Sequence, residues 1–212
     1  MERYLKATAT IDCETSSIKE KAQSLTGGGE QIVEKAKRLF YFVRDKIKYN
    51  PYSALYPIEA SATLERGSGF CVQKAVLLVA LARATKIPAR LGFADIRNHI
   101  IPEKLAKVLR TDLFVYHGYA ELYIEGKWVK ATPTFDLRMC QENRIIPVEF
   151  DGKNHAMFHS HNLDGELHIE YVRQHGHYDD LPLKDMLDAC VQVYGPEFLE
   201  SWKAGFADSM GR

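Results

Sequence analysis

The four cysteines are the strongest potential nucleophiles in the sequence, and one of them stands where its reactivity would be raised. Cys71 follows Gly-Ser-Gly-Phe and begins an apolar run that predicts a helix over 71–86. The unpaired N–H groups and the dipole at a helix start stabilise a thiolate and lower its pKa. The N–H of Cys71 is also suited to binding an oxyanion. These features indicate a nucleophile, and the alternative is a buried structural cysteine. The other three lack this setting: Cys13, Cys140 and Cys190.

A histidine in a predicted β-hairpin is the candidate base for this nucleophile. The hairpin joins strand-like runs at 114–124 and 128–134 through a short turn. With a two-residue turn, the register places Thr132 and Asp136 diagonal to His117 and on its face of the sheet. Asp136 would then orient the imidazole and stabilise its cation, as the third member of a catalytic triad. A different turn length would break this register.

The elements that must position these residues follow from hydrophobic periodicity and from turn signals. Besides the nucleophile helix, helices are predicted over 16–25, 30–47, 102–110 and 183–193, and strands over 3–12, 89–93, 114–124, 128–134 and 167–172. Since no repeat or linker divides the chain, we predict a single domain over 1–212. Its catalytic core would span about 30–137 and its C-terminal extension 138–212.

Two segments resemble the core of the transglutaminase-like superfamily. They are GFCVQKAVLLVALARATKIPARLGF at 69–93 and YHGYAELYIEGKWVKATPTFD at 116–136, and the resemblance covers at least 64–137. It implies an α+β, papain-like fold in which the nucleophile helix packs on an antiparallel sheet. It also implies a site made of a cysteine, a histidine and an acid. Members of the family usually carry aspartate before the Pro-Thr pair, where this chain has Thr132. Either Asp136 takes the role of that aspartate, or the site is a dyad of Cys71 and His117.

The predicted activity is therefore that of a cysteine enzyme acting on amides through a thioester. It would be a peptidase, an amidase or an acyl transferase, with peptide or protein amides as substrates. Candidate substrate-binding residues are Tyr119, which shares a face with His117, His99 in a polar loop, and Thr132. The alternative from a different class is a catalytically silent binding module on the same fold, which the threonine at 132 favours.

Composition argues against several other classes of protein. The 212 residues contain 28 Lys plus Arg and 28 Asp plus Glu, so a basic surface for nucleic acid or for anionic membranes is not indicated. The longest apolar run, 75–82, is too short to span a bilayer, and no secretory signal is visible, so we expect a cytoplasmic protein. The sequence predicts no cofactor and leaves the oligomeric state open.

A histidine-rich segment raises a third possibility, a metal-dependent hydrolase. Six histidines fall within it: His155, His159, His161, His168, His175 and His177. The run has neither the HExxH pattern nor a cysteine cluster, so surface or cleft-lining histidines are favoured and no metal site is predicted.

Overall fold

One helix of the protein is buried, and other helices pack against it. The computed structural model describes residues 1–27 and 31–203. Its helices are α1 (Ser16–Thr26), α2 (Ile32–Lys46), α3 (Ala60–Arg66), α4 (Cys71–Ala84), α5 (Glu103–Leu109), α6 (Leu137–Glu142), α7 (Leu183–Tyr194) and α8 (Pro196–Lys203). Every residue of α4 from 72 to 83 is buried, as expected for a helix that is apolar on all sides.

Strands form one antiparallel sheet and one short parallel pair. The strands are β1 (Lys48–Tyr49), β2 (Ser68–Gly69), β3 (Ala89–Asn98), β4 (Leu113–Ile124), β5 (Lys127–Ala131) and β6 (Ile169–Tyr178). β1 pairs with β2, and the larger sheet has the order β5–β4–β3–β6 with every neighbouring pair antiparallel. Because α4 packs against β4 and β3, the fold is α+β with the central helix on an antiparallel sheet, as predicted.

A buried lysine fixes the first turn of α4 against the end of α2. The Nζ atom of Lys74 donates hydrogen bonds to the carbonyl oxygens of Arg44 at 3.0 Å and Ile47 at 2.7 Å. Burial lowers the pKa of Lys74 to about 7, although the carboxylates of Asp136 and Asp45 oppose that change. The helix start that carries Cys71 is therefore held in place by polar bonds as well as by apolar packing.

The predicted strand over 3–12 is wrong. That segment contains a 3-10 turn at Glu2–Leu5, and the N–H of Thr8 donates to the carbonyl oxygen of Ile11. The Tyr4 ring packs edge-on against Trp128 with 5.0 Å between centroids. Tyr4 and Ile11 are thus buried individually, without a ladder, while Ala7 and Ala9 are exposed. No helix within the described ranges is long and apolar enough to cross a membrane.

Candidate active site

The loop before α4 is shaped to present Cys71 as the first residue of that helix. The Oε1 atom of Gln73 accepts the N–H of Phe70 at 3.2 Å, and its Nε2 atom donates to the carbonyl oxygen of Ala54 at 3.0 Å. A Cβ atom on Gly69 would lie 2.9 Å from both Cβ and Oε1 of Gln73, so only glycine leaves room for this brace. The glycine-rich segment is thus explained by the local packing.

Cys71 is partly buried, and its protonation differs from the sequence-based expectation. Burial raises the pKa of the thiol, while the backbone N–H groups of Gly118, Val72 and Cys71 itself act in the opposite direction. The favourable dipoles at the helix start are present, but loss of solvent outweighs them. The resting side chain is therefore a neutral thiol that needs a base to become nucleophilic.

A close approach between β4 and α4 places His117 and Cys71 in the same part of the fold. A Cβ atom on Gly118 would lie 3.0 Å from the Cα atom of Val72, so glycine permits this approach. His117 precedes that glycine, and Cys71 precedes Val72. Cys71 and His117 are both among the residues that line one pocket, although no hydrogen bond within the described residues joins the thiol to the Nε2 atom of the imidazole.

A β-bulge directly before His117 shapes this wall of the pocket. Ala94 pairs with His117, but the register shifts after it, so Val115 and Tyr116 both lie opposite Asp95. Tyr116 has φ of 53°, and its N–H donates to the Asp95 carboxylate at 3.0 Å. Since strict alternation is broken here, the three consecutive residues 115–117 all line the pocket.

The imidazole of His117 is buried and poorly supplied with polar partners. Within residues 1–27 and 31–203, its Nε2 atom has no hydrogen-bond partner. The ring packs against Phe158 with 4.9 Å between centroids. Burial lowers the pKa of His117 to about 3. The ring is therefore neutral near pH 7 and can accept a proton, but among residues 1–27 and 31–203 no carboxylate is seen to offset the cation that would form.

The structure places the Asp136 carboxylate at the start of α6, away from its predicted role. One oxygen accepts the N–H of Met139 at 2.9 Å, and the other accepts the N–H of Tyr49 at 3.0 Å. Asp136 is thus the N-cap of α6. Among the described residues, no hydrogen bond or ion pair joins Asp136 to His117.

Asp136 does not lie diagonal to His117 because β5 ends earlier than the sequence predicted. The predicted two-residue turn is confirmed, because Ile124 pairs with Lys127. However, β5 ends at Ala131, and the next N–H, that of Thr132, donates to the carbonyl oxygen of Ala156 at 2.8 Å. A proline follows and offers no N–H to the ladder. The chain leaves the sheet before the diagonal relation to the histidine can form.

The three predicted substrate-binding residues do not line the pocket that contains Cys71. They contact the C-terminal part of the chain instead: Tyr119 donates to Gln174 at 3.0 Å, Thr132 donates to the sulfur of Met157 at 3.4 Å, and His99 lies 3.4 Å from Glu170. The Tyr119 ring lies over Gly92 of β3, and its hydroxyl reaches β6.

Side chains from the C-terminal helices α7 and α8 form one wall of the pocket, and the sequence did not predict this contribution. Met186, Cys190 and Tyr194 of α7 and Phe198 and Trp202 of α8 line the pocket together with Cys71. The Tyr194 hydroxyl accepts the N–H of Val115 at 2.8 Å and donates to the carbonyl oxygen of Leu113 at 3.0 Å, so α7 is tied to β4. The apolar periodicity of 183–193 predicted the helix but gave no sign of which surface it covers.

The six histidines of 155–177 are dispersed over different partners. The Nδ1 atom of His155 accepts the N–H of Lys130 at 3.1 Å, His161 lies 2.9 Å from the Ser160 hydroxyl, and His175 lies 2.6 Å from Asp95. In the part of the chain that the structure describes, no group of three or more His, Cys, Asp or Glu side chains could hold a metal ion. These contacts give the metal-hydrolase interpretation no support.

His168 is expected to weaken the fold in acid. Burial, with a smaller contribution from His99, lowers its pKa to about 4, and its ring stacks on Phe135. The unfolded chain takes up this proton near pH 6.5, while the folded chain does so only near pH 4, so stability falls as the pH falls between these values. The loss is at most about 3 kcal/mol.

Urea unfolding of the wild type and of His168→Phe at pH 7 and pH 4.5 measures this effect. The free energy of unfolding of His168→Phe should fall less between pH 7 and pH 4.5 than that of the wild type. His159→Phe, at an exposed position, should lose as much as the wild type. An equal loss of stability in the wild type and in His168→Phe would contradict the assignment of this effect to His168.

Comparisons with known proteins identify the family of the chain and its fold. Residues 19–133 match the family model of the transglutaminase-like superfamily. A structure from Cytophaga hutchinsonii, provisionally assigned as a cysteine protease, aligns with a TM-score of 0.50 and 23% identity over 62% of this chain and 40% of that one. A provisionally assigned protease from Parabacteroides distasonis aligns with a TM-score of 0.41 and 17% identity over 62% of this chain and 24% of that one.

The chain therefore spans less than half the length of either solved structure. Comparison with curated proteins gives no significant match. The family model covers both the nucleophile helix and the hairpin that carries the histidine. Because the matched region is more than half of the chain, the protein belongs to the transglutaminase-like superfamily, with the α+β papain-like core of that family.

Proposed function

We propose that the protein is a cysteine enzyme that acts on amides or related acyl compounds, as a peptidase, an amidase or an acyl transferase. The observation that carries this proposal is the shared pocket of Cys71, at the start of α4, and His117, after the bulge of β4. A thiol at a helix start and a neutral imidazole on the lining of the same pocket are the parts needed for acyl transfer.

In the proposed mechanism the imidazole of His117 takes the thiol proton as the Cys71 sulfur attacks the substrate carbonyl. The N–H of Cys71 binds the oxyanion of the tetrahedral intermediate. The intermediate collapses when the imidazolium gives its proton to the leaving amine, which leaves a thioester on the sulfur. Water or an acceptor amine then attacks the thioester carbonyl, with His117 again as base, and the free thiol is restored.

We propose that the site functions without a carboxylate as the partner of His117. Asp136 serves as the α6 cap, and Thr132 bonds to Ala156 and Met157. The cation on His117 is then stabilised only by the transient negative charge on the thiolate or the oxyanion. This favours a concerted transfer over a resting thiolate–imidazolium pair.

A catalytically silent binding module is the second candidate, and one observation favours it. The buried Nε2 atom of His117 has no partner among the described residues, so the imidazole lacks the orienting group that triads have. The raised pKa of the Cys71 thiol points the same way. Under this alternative the pocket would bind an acyl compound or a peptide without turning it over.

Turnover assays on the full chain separate the two candidates. We would incubate it with peptide p-nitroanilides and p-nitrophenyl acetate, with and without an added primary amine, and compare Cys71→Ala and Cys140→Ala. Cys140 is buried elsewhere, so its removal controls for the loss of a thiol. The proposal expects turnover in the wild type and in Cys140→Ala and none above background in Cys71→Ala. Equal rates in all three proteins would leave the binding module as the better account.

A further inference from the structure

The pocket around Cys71 is lined mostly by apolar side chains. Leu105 and Leu109 of α5, Phe114 of β4, Met186 of α7 and Trp202 of α8 contribute to its wall. Its enclosed volume is about 80 Å³ and continues into open solvent, which suits a short acyl chain that enters from the mouth of the pocket. Binding of an apolar group to such a lining is favourable because it removes apolar surface from water.

No charged side chain is found among the described residues that line this pocket. An ammonium or carboxylate group that entered would lose its hydration without gaining an oppositely charged partner among the described residues, and this is costly. The Tyr194 hydroxyl already donates to Leu113 and accepts from Val115. The neutral imidazole of His117 and the Cys71 thiol are kept for the reacting carbonyl and its leaving group.

We infer that the pocket selects acyl groups with an apolar aliphatic or aromatic substituent, whose carbonyl carbon reaches the Cys71 sulfur. This inference rests on the proposed function, because it names the class of substrate that the nucleophile takes. The leaving group departs on the His117 side, where it receives a proton, and the retained acyl chain lies along Leu109, Met186 and Trp202.

The C-terminal helices make this selectivity a property of the chain beyond the family core. The family model ends at residue 133, whereas α7 and α8 begin at Leu183 and Pro196. The Trp202 ring packs on Phe70, next to the nucleophile, with 5.1 Å between centroids, and the Trp202 carbonyl accepts the N–H of Leu55 at 3.1 Å. The apolar wall is thus anchored to the loop that precedes Cys71.

A series of p-nitrophenyl esters with one leaving group tests the inference on the full chain. The esters are the acetate, the butanoate, the hexanoate and the mono-ester of hexanedioic acid, which ends in a carboxylate. Hydrolysis by Cys71→Ala is subtracted from each rate. Since a buried methylene contributes about 0.8 kcal/mol, kcat/KM should rise about fourfold per methylene up to the hexanoate. The carboxylate-ended ester should fall to the level of the acetate or below.

A substitution in the wall and a matched control sharpen the test. Met186→Trp adds bulk to the pocket and should abolish the advantage of the hexanoate over the butanoate. Leu163→Trp, at a residue that is 56% exposed and outside the pocket, should leave the whole series unchanged.

The outcomes separate this inference from the proposed function. Cys71-dependent hydrolysis whose rate does not depend on chain length, or that accepts the carboxylate-ended ester equally, overturns the inference and leaves the enzyme standing. Rates that follow the size of the leaving group in a series of acetate esters, instead of the acyl chain, overturn it as well. No Cys71-dependent hydrolysis of any ester removes both.

Discussion

Replacement of His117 with alanine should lower the Cys71-dependent kcat/KM by about 10²- to 10⁴-fold, the usual contribution of a positioned acid–base group. The raised pKa of the Cys71 thiol leaves little thiolate at neutral pH, so without its base the thiol reacts only in the small ionised fraction. The variant rate should therefore climb about tenfold per pH unit between pH 6 and pH 8.

The wild-type pH profile should differ in shape. With a pKa of about 3, His117 stays neutral in mildly acidic solution, so the acid limb of kcat/KM should lie well below pH 6.5. Steady-state assays from pH 4.5 to pH 9 on the wild type, His117→Ala and the exposed control His159→Ala provide the comparison. A loss of less than about tenfold in His117→Ala would argue against general-base catalysis by this residue.

Arg83→Met should lower the free energy of unfolding by about 3–5 kcal/mol, because it orphans several backbone acceptors at once. The Arg83 guanidinium is fully buried and donates to the carbonyl oxygens of Ala89 at 3.0 Å, Lys6 at 2.6 Å and Asp179 at 2.7 Å. It thus ties the end of α4 to three separate segments. Methionine keeps most of the aliphatic stem and removes the guanidinium, so the loss combines the missing bonds with the space that the guanidinium leaves.

Chemical denaturation followed by tryptophan fluorescence measures this loss. Arg138→Met is the matched control, since its side chain is 79% exposed and pairs with Glu142 within its own helix. It should change stability by less than about 0.5 kcal/mol. If the two substitutions had the same effect, the three carbonyl bonds would not be what holds the segments together.

The sequence was sufficient for the features that depend on neighbouring residues. The apolar run after Cys71 predicted α4, since a helix that is apolar all round needs no partner-specific signal to be recognised. Glu125 and Gly126 at the turn predicted the pairing of Ile124 with Lys127. These two local features place Cys71 at a helix start and His117 on a strand.

Features that depend on distant residues were not predictable. The bulge at Val115 and Tyr116 is stabilised by Asp95 from the neighbouring strand, and nothing near His117 in the chain announces it. Burial of Cys71 depends on α7 and α8, more than a hundred residues later, so the direction of its pKa shift could not be foreseen. The position of Asp136 depended on where β5 ends, which a register extrapolated from the turn cannot give.

The central claim is that Cys71 is the residue that becomes acylated. The most direct test is acid quenching of the full chain during the first turnovers of p-nitrophenyl butanoate, followed by peptide mass mapping of the four cysteines. We predict one butanoyl adduct, on the peptide that contains Cys71, and its absence in Cys71→Ala. An adduct on Cys13, Cys140 or Cys190, or turnover with no acylated cysteine at all, would contradict the assignment of the nucleophile.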